Sequence, residues 1–181
     1  MNLKKLSLRD LAIHVADHLR RSGVDVVLSG GACVSIYARE AYLSYDLDFV
    51  LVSYTPRAKL REAMARLGFS EDGRHFRHPE TPFIVEFLSP PLSVGEEPVR
   101  NIAEITKRNK TLRLLSPTDC VKDRLAAYYH WNDRSSLEQA ALVARNQKVD
   151  LKEIRRWSNK EGMTDKLAVF LRALNKRRPG S

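Results

Sequence analysis

Long hydrophobic runs are missing from this sequence of 181 residues. No apolar run approaches the roughly 20 residues that a bilayer-spanning helix needs, so we predict no membrane association. The amino-terminal stretch MNLKKLSLRDLAIHVADHL carries charges among its apolar positions, which argues against a secretory signal peptide. These absences make the cytoplasm the predicted location.

Cysteine is also scarce. Cys33 and Cys120 are the two cysteines of the chain, and they lack the paired spacing of a zinc site or of a disulfide framework. They are predicted to be small, buried thiols in a reducing compartment. Internal repeats and low-complexity tracts are absent as well.

Acidic residues are fewer than basic ones. The chain has 31 lysines and arginines against 22 aspartates and glutamates, a formal net charge of +9. This surplus favours anionic partners such as nucleotides or RNA, with salt-dependent binding. A basic protein without a nucleic-acid partner stays open as the alternative. At 43% hydrophobic residues, the chain is able to bury a core of one domain, with or without a helical appendage.

Two features lie close together in the middle of the first half. First, an apolar strand-like run ends in Ser29-Gly30-Gly31 before a predicted helix. Such a turn offers unpaired backbone N–H groups to an anion such as phosphate. Second, Asp46 and Asp48 alternate at the start of another apolar run. Their carboxylates are predicted to point to the same side of a strand, roughly 7 Å apart. Neighbouring carboxylates favour a divalent cation, so the stretch predicts a phosphate cradle beside a magnesium site.

A third carboxylate, Glu86, lies inside the apolar run Phe83-Ile84-Val85-Glu86-Phe87-Leu88. A lone buried glutamate is costly without a partner. The alternative, a strand with one solvent-facing side, fits poorly because Ile84 and Leu88 share the side of Glu86. We therefore predict a functional carboxylate at this position.

Together, Gly30-Gly31, Asp46-Leu47-Asp48 and Glu86 resemble the signature of the DNA polymerase β-type nucleotidyltransferases. The sequence is most similar to the small stand-alone members, which include nucleotidyltransferase toxins of type IV toxin–antitoxin systems. The resemblance covers roughly residues 20–90, with a weaker match at 116–145. It implies an α/β (α+β) fold with a nucleotidyltransferase-like mixed sheet flanked by helices and a C-terminal helical extension.

The resemblance also implies a reaction, the transfer of a nucleoside monophosphate from an NTP to an acceptor hydroxyl. Asp46, Asp48 and Glu86 would be the catalytic residues and the ligands of a two-ion Mg²⁺ site. The nucleotide-binding residues would be Ser29, Gly30, Gly31 and Lys122. The acceptor stays open among RNA (especially tRNA), a protein side chain and a small molecule, with the net charge favouring RNA. A toxin would have an antitoxin protein as partner, and the oligomeric state stays open.

The role of Lys122 depends on the weaker part of the resemblance. Small nucleotidyltransferases similar to this chain often carry a lysine on the helix after the sheet, and a flexible ammonium neutralises a triphosphate well. A surface lysine beside Asp119 and Asp123 is the alternative. Asp133 matches an acidic position about ten residues later, with a helix cap as its alternative.

A rival hypothesis is a catalytically inactive nucleotide- or RNA-binding protein that retains this fold. The fourteen residues between Gly31 and Asp46 support it, because this spacing is long for the family. The retention of all three acids argues against it. A third hypothesis, a regulatory α/β protein, predicts no Mg²⁺-dependent NTP binding.

The chain is predicted to divide into an α/β core over residues 1–115, a helical region packed on it over 116–175, and a basic, disordered tail over 176–181. The spacing of apolar residues predicts a helix over 7–22, strands over 24–28, 46–53 and 82–89, a hairpin over 69–78 and a loop over 92–100. A two-stranded ribbon is predicted over 103–115, and helices follow from Ser116.

Overall fold

The computed structural model of the protein describes residues 3–39 and 41–175, so the predicted tail lies outside the described residues. After a short 3₁₀ turn, Leu3–Lys5, the helices are α1 (Leu8–Arg21), α2 (Gly30–Tyr37), α3 (Arg57–Ala65), α4 (Pro117–Trp131), α5 (Arg134–Asn146), α6 (Leu151–Lys160) and α7 (Thr164–Asn175). The strands are β1 (Val26–Ser29), β2 (Asp46–Leu51), β3 (Ser70–Asp72), β4 (His75–Arg77), β5 (Ile84–Leu88), β6 (Ser93–Val94), β7 (Glu97–Pro98), β8 (Ile102–Lys107) and β9 (Lys110–Leu115).

A seven-stranded mixed sheet with the order β3-β4-β5-β2-β1-β9-β8 forms the centre of the protein. Its central strand β1 runs antiparallel to β2 and parallel to β9, and β2 runs parallel to β5. Helices flank this sheet, so the predicted fold class is confirmed. The predicted ribbon, β8 and β9, extends the sheet through the parallel contact between Leu28 and Leu114.

The loop predicted over residues 92–100 is wrong. A separate hairpin of β6 and β7 forms there, with Ser93 opposite Pro98 and Val94 opposite Glu97. Gly95, at a φ of 58°, supplies the left-handed turn residue that a tight hairpin needs. Two-residue strands leave no periodic pattern of apolar residues, so the sequence does not predict them.

The hydrophobic core covers one face of the central strands. Leu28, Leu47, Phe49 and Val85 are fully buried and alternate in sequence with polar residues such as Ser29 and Asp48. Since successive strand residues point to opposite faces, the apolar face packs into the core while the polar set lies on the other face. This alternation places the predicted site residues outside the core.

The helices α4 to α7 continue the same hydrophobic core. Val121, Leu125 and Trp157 belong to one buried cluster with Leu28 and Leu114 of the sheet. The Tyr37 hydroxyl of α2 donates a 2.6 Å hydrogen bond to the Leu115 carbonyl at the end of β9. Helix α4 begins two residues after the end of β9 and also contacts α2. Among the described residues, no helix has the length and apolar character to cross a membrane.

Candidate active site

Four side chains form one row across the polar face of the sheet. Ser29 lies opposite Asp48, Asp48 opposite Glu86, and Glu86 opposite His75. Residues paired in register share a face, so the row brings the second aspartate and the glutamate together on neighbouring strands. Asp46 lies two residues earlier in β2, on the same face. The structure therefore places the three predicted carboxylates on one face of two neighbouring strands.

The antiparallel pairing of β1 and β2 determines where this row lies. Asp48, near the amino end of β2, is paired with Ser29, the last residue of β1. Helix α2 begins at the next residue, Gly30. The carboxylates thus lie beside the carboxyl end of β1 and the start of a helix, the end at which α/β sheets place their ligands.

The glycine turn lies directly against Asp48. Gly30 has a φ of +65°, and a Cβ atom there would lie 2.3 Å from Oδ2 of Asp48. A side chain at this position would therefore displace the carboxylate as well as strain the backbone. Gly31 is packed more loosely, since its Cβ would lie 3.1 Å from Oγ of Ser44.

Ser29 is the N-cap residue of α2, but its side chain makes no capping hydrogen bond. Its hydroxyl instead donates to the carbonyl of Asp48 at 3.2 Å. The amides in the first turn of α2 consequently have no side-chain cap. Such amides are the groups that bind an anion at a helix start.

Asp48 carries the strongest electrostatic signal of the site. Burial, followed by the negative charges of Asp46 and Glu86, raises the pKa of Asp48 from 3.8 to about 6. The positive charge of Arg124 opposes this rise, and Asp123 adds to it. Negative charge is thus in excess at Asp48, which is the condition under which a cation binds.

Glu86 has basic neighbours on the hairpin of β3 and β4. Nε of Arg74 lies 3.5 Å from Oε1 of Glu86, and Nδ1 of His75 lies 3.4 Å from Oε2. The sequence predicts a hairpin over 69–78 but not the strand with which it pairs, so this contact was not predicted. The register of the hairpin with β5 is the information that would have placed them.

Arg124 and Asp123 on α4 were also missed. Nη2 and Nε of Arg124 lie 2.6 and 2.9 Å from Oδ2 of Asp123. Both side chains are half-buried, and both act on the charge of Asp48. No signal in the sequence distinguished this pair from the other charged residues of α4.

Lys122, the predicted phosphate ligand, lies in a different environment. Its side chain is buried at 5% exposure, and its ammonium lies 3.4 Å from Asp119, 3.2 Å from Glu153 and 4.0 Å from Glu97. Three carboxylates thus surround it. The structure does not place Lys122 among the charges that act most strongly on Asp48. Asp133 caps α5 and accepts a hydrogen bond from the amide of Ser135.

The carboxylates do not form a complete metal-binding cage. Among residues 3–39 and 41–175, no group of three or more histidine, cysteine, aspartate or glutamate side chains is close enough to hold a metal ion. Mg²⁺ is usually bound by one or two carboxylates together with substrate phosphates and water, rather than by a cage of protein ligands. The all-oxygen donor set and the excess negative charge at Asp48 fit such a site.

The fold is similar to solved structures of nucleotidyltransferases. An antigenic nucleotidyltransferase-like protein from Paracoccidioides brasiliensis is 14% identical, with a TM-score of 0.61 over 94% of each chain. The solution structure of the antibiotic-resistance factor ANT(2'')-Ia is 13% identical, with a TM-score of 0.57 over 93% of this chain and 96% of that one. A crystal structure of ANT(2'')-Ia in complex with adenylyl-2''-tobramycin is 12% identical, with a TM-score of 0.50 over 91% of this chain and 98% of that one.

This chain has the nucleotidyltransferase fold. At these identities the likeness concerns the fold alone. No family model matches the sequence, and a search of curated proteins finds no significant match.

Proposed function

We propose that the protein transfers a nucleoside monophosphate from an NTP to an acceptor hydroxyl. One observation carries this proposal: Asp48 is partly buried beside Asp46 and Glu86, next to an uncapped helix start. Carboxylates that repel one another are a poor arrangement for stability, and uncapped amides at a helix start attract further negative charge. They are suited to a substrate that brings phosphates together with a divalent cation.

Asp46, Asp48 and Glu86 would hold Mg²⁺, in one or two ions. The metal, when bound, neutralises charge on the triphosphate and on the leaving pyrophosphate. Glu86 would also accept the proton of the attacking hydroxyl, and Arg74 and His75 would keep its carboxylate oriented.

The phosphates would lie at the start of α2. The uncapped amides after Ser29 would bind them, and the absence of a Cβ at Gly30 leaves the Asp48 carboxylate in place. Arg124 supplies positive charge from α4. Its guanidinium is able to bind a phosphate oxygen pair, and Asp123 holds it in position. The nucleotide-binding role of Lys122 stays a prediction of the resemblance.

The acceptor that the net charge of +9 favours is RNA, with tRNA as the first candidate. A toxin role and an antitoxin partner stay predictions of the resemblance. A small-molecule acceptor is the other candidate, and the ANT(2'')-Ia complex with adenylyl-2''-tobramycin is the observation that favours testing it.

The test is a transfer assay with Mg²⁺, each labelled NTP and either total tRNA or a set of aminoglycosides. The Asp46→Ala/Asp48→Ala variant is compared with a control, Glu80→Ala/Asp165→Ala, which removes two exposed carboxylates outside the site. We expect the native protein and the control to transfer label, and the site variant to lose transfer.

The other outcomes separate the alternatives. Mg²⁺-dependent NTP binding that the site variant loses, without transfer to any acceptor, would favour the inactive nucleotide-binding protein. Label on the protein itself would identify a protein side chain as the acceptor. If the native protein neither binds NTP nor transfers label, the proposed function is wrong.

A further inference from the structure

An exposed tryptophan ends the helix that carries Arg124. Trp131 is the last residue of α4 and is 77% exposed. Its sequence neighbours His130, Asn132 and Asp133 are exposed and polar. An indole in such surroundings is not the centre of a dry protein interface, which needs a contiguous apolar patch. A planar ligand with polar edges fits this position better.

Helix geometry places this indole on the same side as Arg124. The two residues are seven apart, so they lie nearly on one helix face, roughly 10 Å apart along the axis. The charge of Arg124 acts on Asp48, at one side, and on Asp133, just beyond the end of α4. The charge of Arg124 is therefore felt both at the carboxylates and at the turn that follows Trp131.

From this arrangement we infer that Trp131 is the stacking platform for the base of the bound NTP. This inference rests on the proposed function. If the phosphates lie at the start of α2 and against Arg124, the ribose leads away from them, and the base reaches the exposed end of α4. An indole face stacks on any base, because every base has a π-face. Trp131 would therefore add affinity while discriminating weakly among the four nucleotides.

We assign Trp131 to the base of the NTP, rather than to a base of an RNA acceptor, because of Arg124. The charge of Arg124 acts on Asp48, and Arg124 shares one helix face with the indole, so a single ligand with an anionic end and a planar end would span both.

The second tryptophan provides an internal contrast. Trp157 is fully buried, stacks on Tyr129 with ring centroids 5.6 Å apart, and lies 5.6 Å from the ammonium of Lys122. Its fluorescence is the background signal that Trp131→Phe keeps. The part of the ligand-dependent change in tryptophan emission that Trp131→Phe loses therefore reports on Trp131.

The experiment measures binding of ATP, GTP, CTP and UTP, and separately of inorganic tripolyphosphate, in the presence of Mg²⁺. Calorimetry and tryptophan fluorescence are applied to the native protein, Trp131→Ala, Trp131→Phe and the control Tyr54→Ala. Tyr54 is a suitable control because it is 83% exposed and follows the opposite end of β2. The expected loss of NTP affinity in Trp131→Ala is about tenfold, the size typical of one base–aromatic stack.

Tripolyphosphate should bind Trp131→Ala and the native protein equally, Trp131→Phe should keep most of the NTP affinity, and Tyr54→Ala should keep all of it. Unchanged NTP affinity in Trp131→Ala, with Mg²⁺-dependent tripolyphosphate binding intact, would overturn the platform and leave the proposed function standing. Equal losses for NTP and tripolyphosphate would make Trp131 a structural residue. A loss confined to RNA binding would assign the indole to the acceptor. If the native protein binds neither NTP nor tripolyphosphate, the proposed function fails together with the platform.

Discussion

Two clusters of charge lie on either side of the amino-terminal half of α4, and they differ in how their charges are compensated. Around Lys122, hydrogen bonds from Arg156 and Lys160 lower the pKa of Glu97 to about 2. Around Asp48, burial and neighbouring carboxylates raise the pKa to about 6. Carboxylates are thus stabilised as anions in the first cluster and destabilised in the second.

We interpret this difference as the one between a structural cluster and the proposed ligand site. Lys122 satisfies Asp119 and Glu153 within the chain, so this cluster needs no further partner. In the second cluster Arg74 contacts Glu86 rather than Asp48, and Arg124, whose charge acts on Asp48, is already paired with Asp123. An uncompensated cluster persists at a cost in stability, which is expected at functional sites. The predictions below test whether the two clusters behave oppositely.

The largest effect is expected for Asp48→Asn in the transfer assay. The amide keeps the shape of the side chain but removes the charge that holds a cation, so we expect activity to fall by at least about 100-fold. The matched variant is Glu153→Gln, which makes the same change in the other cluster and should keep native activity. Similar losses in both variants would mean that the Lys122 cluster also takes part in the reaction.

The second effect is a loss of stability in Lys122→Met. The substitution keeps the length of the side chain but leaves Asp119 and Glu153 without their ammonium. Removing one partner of a buried ion pair typically costs 3–5 kcal/mol, and we expect about 3 kcal/mol because Glu153 is partly exposed. Thermal unfolding should show a fall of roughly 6–12 °C.

A control for this variant is Lys152→Met, at an exposed position of α6, which should leave the Tm unchanged. NTP affinity of Lys122→Met should stay close to native. A native Tm combined with lost NTP binding would support the phosphate-binding role that the resemblance implies for Lys122.

The sequence does not predict which of Lys122 and Arg124 lies near the carboxylates. Both are basic residues on one predicted helix, two positions apart, and either is able to bind phosphate. Which of them faces the sheet depends on how α4 packs on α2, and this packing is determined by contacts distant in sequence, such as the one between Tyr37 and Leu115. The local pattern of residues along α4 therefore does not predict this packing.

The acidic residues were predictable because a strand has a simple period. Alternation predicted that Asp46 and Asp48 share a face, and an isolated acid in an apolar run marked Glu86. Their alignment in neighbouring strands, however, required the parallel pairing of β2 with β5. The contact of His75 with Glu86 required the register of a hairpin, which two short strands did not reveal.

The third prediction concerns the stability of Asp48→Asn as a function of pH, without divalent cations. The folded-state pKa of Asp48 is raised to about 6, so the folded protein favours the protonated carboxyl group. The stability that the protonated group contributes is fully present below pH 3.8 and is lost as the pH rises through 6. The asparagine variant does not ionise. At pH 8 it should therefore be more stable than the native protein by up to about 3 kcal/mol, or roughly 6–12 °C in Tm.

Near pH 4 the two Tm values should converge, because Asp48 is then protonated in the native protein. Adding Mg²⁺ at pH 8 should raise the Tm of the native protein and not that of the variant. A variant that is less stable than the native protein at pH 8 would show that the Asp48 charge is compensated, and the contrast between the clusters would disappear.

The smallest effect on stability is expected for Glu97→Gln. This variant should be less stable than the native protein, whereas Asp48→Asn should be more stable. The folded-state pKa of Glu97 is lowered to about 2, so its contribution to stability is present above the ordinary value of 4.5 and is lost as the pH falls through 2. Its partners Arg156 and Lys160 are exposed, so we expect a loss of only about 1 kcal/mol at pH 7.

The loss in Glu97→Gln should shrink in high salt and vanish near pH 2, while the gain in Asp48→Asn grows from pH 4 to pH 8. Thermal unfolding of both variants across this pH range therefore compares the clusters in one measurement. If Glu97→Gln raised the Tm at pH 7, carboxylates would be in excess in both clusters. The uncompensated charge at Asp48 would then no longer distinguish the proposed active site from the rest of the protein.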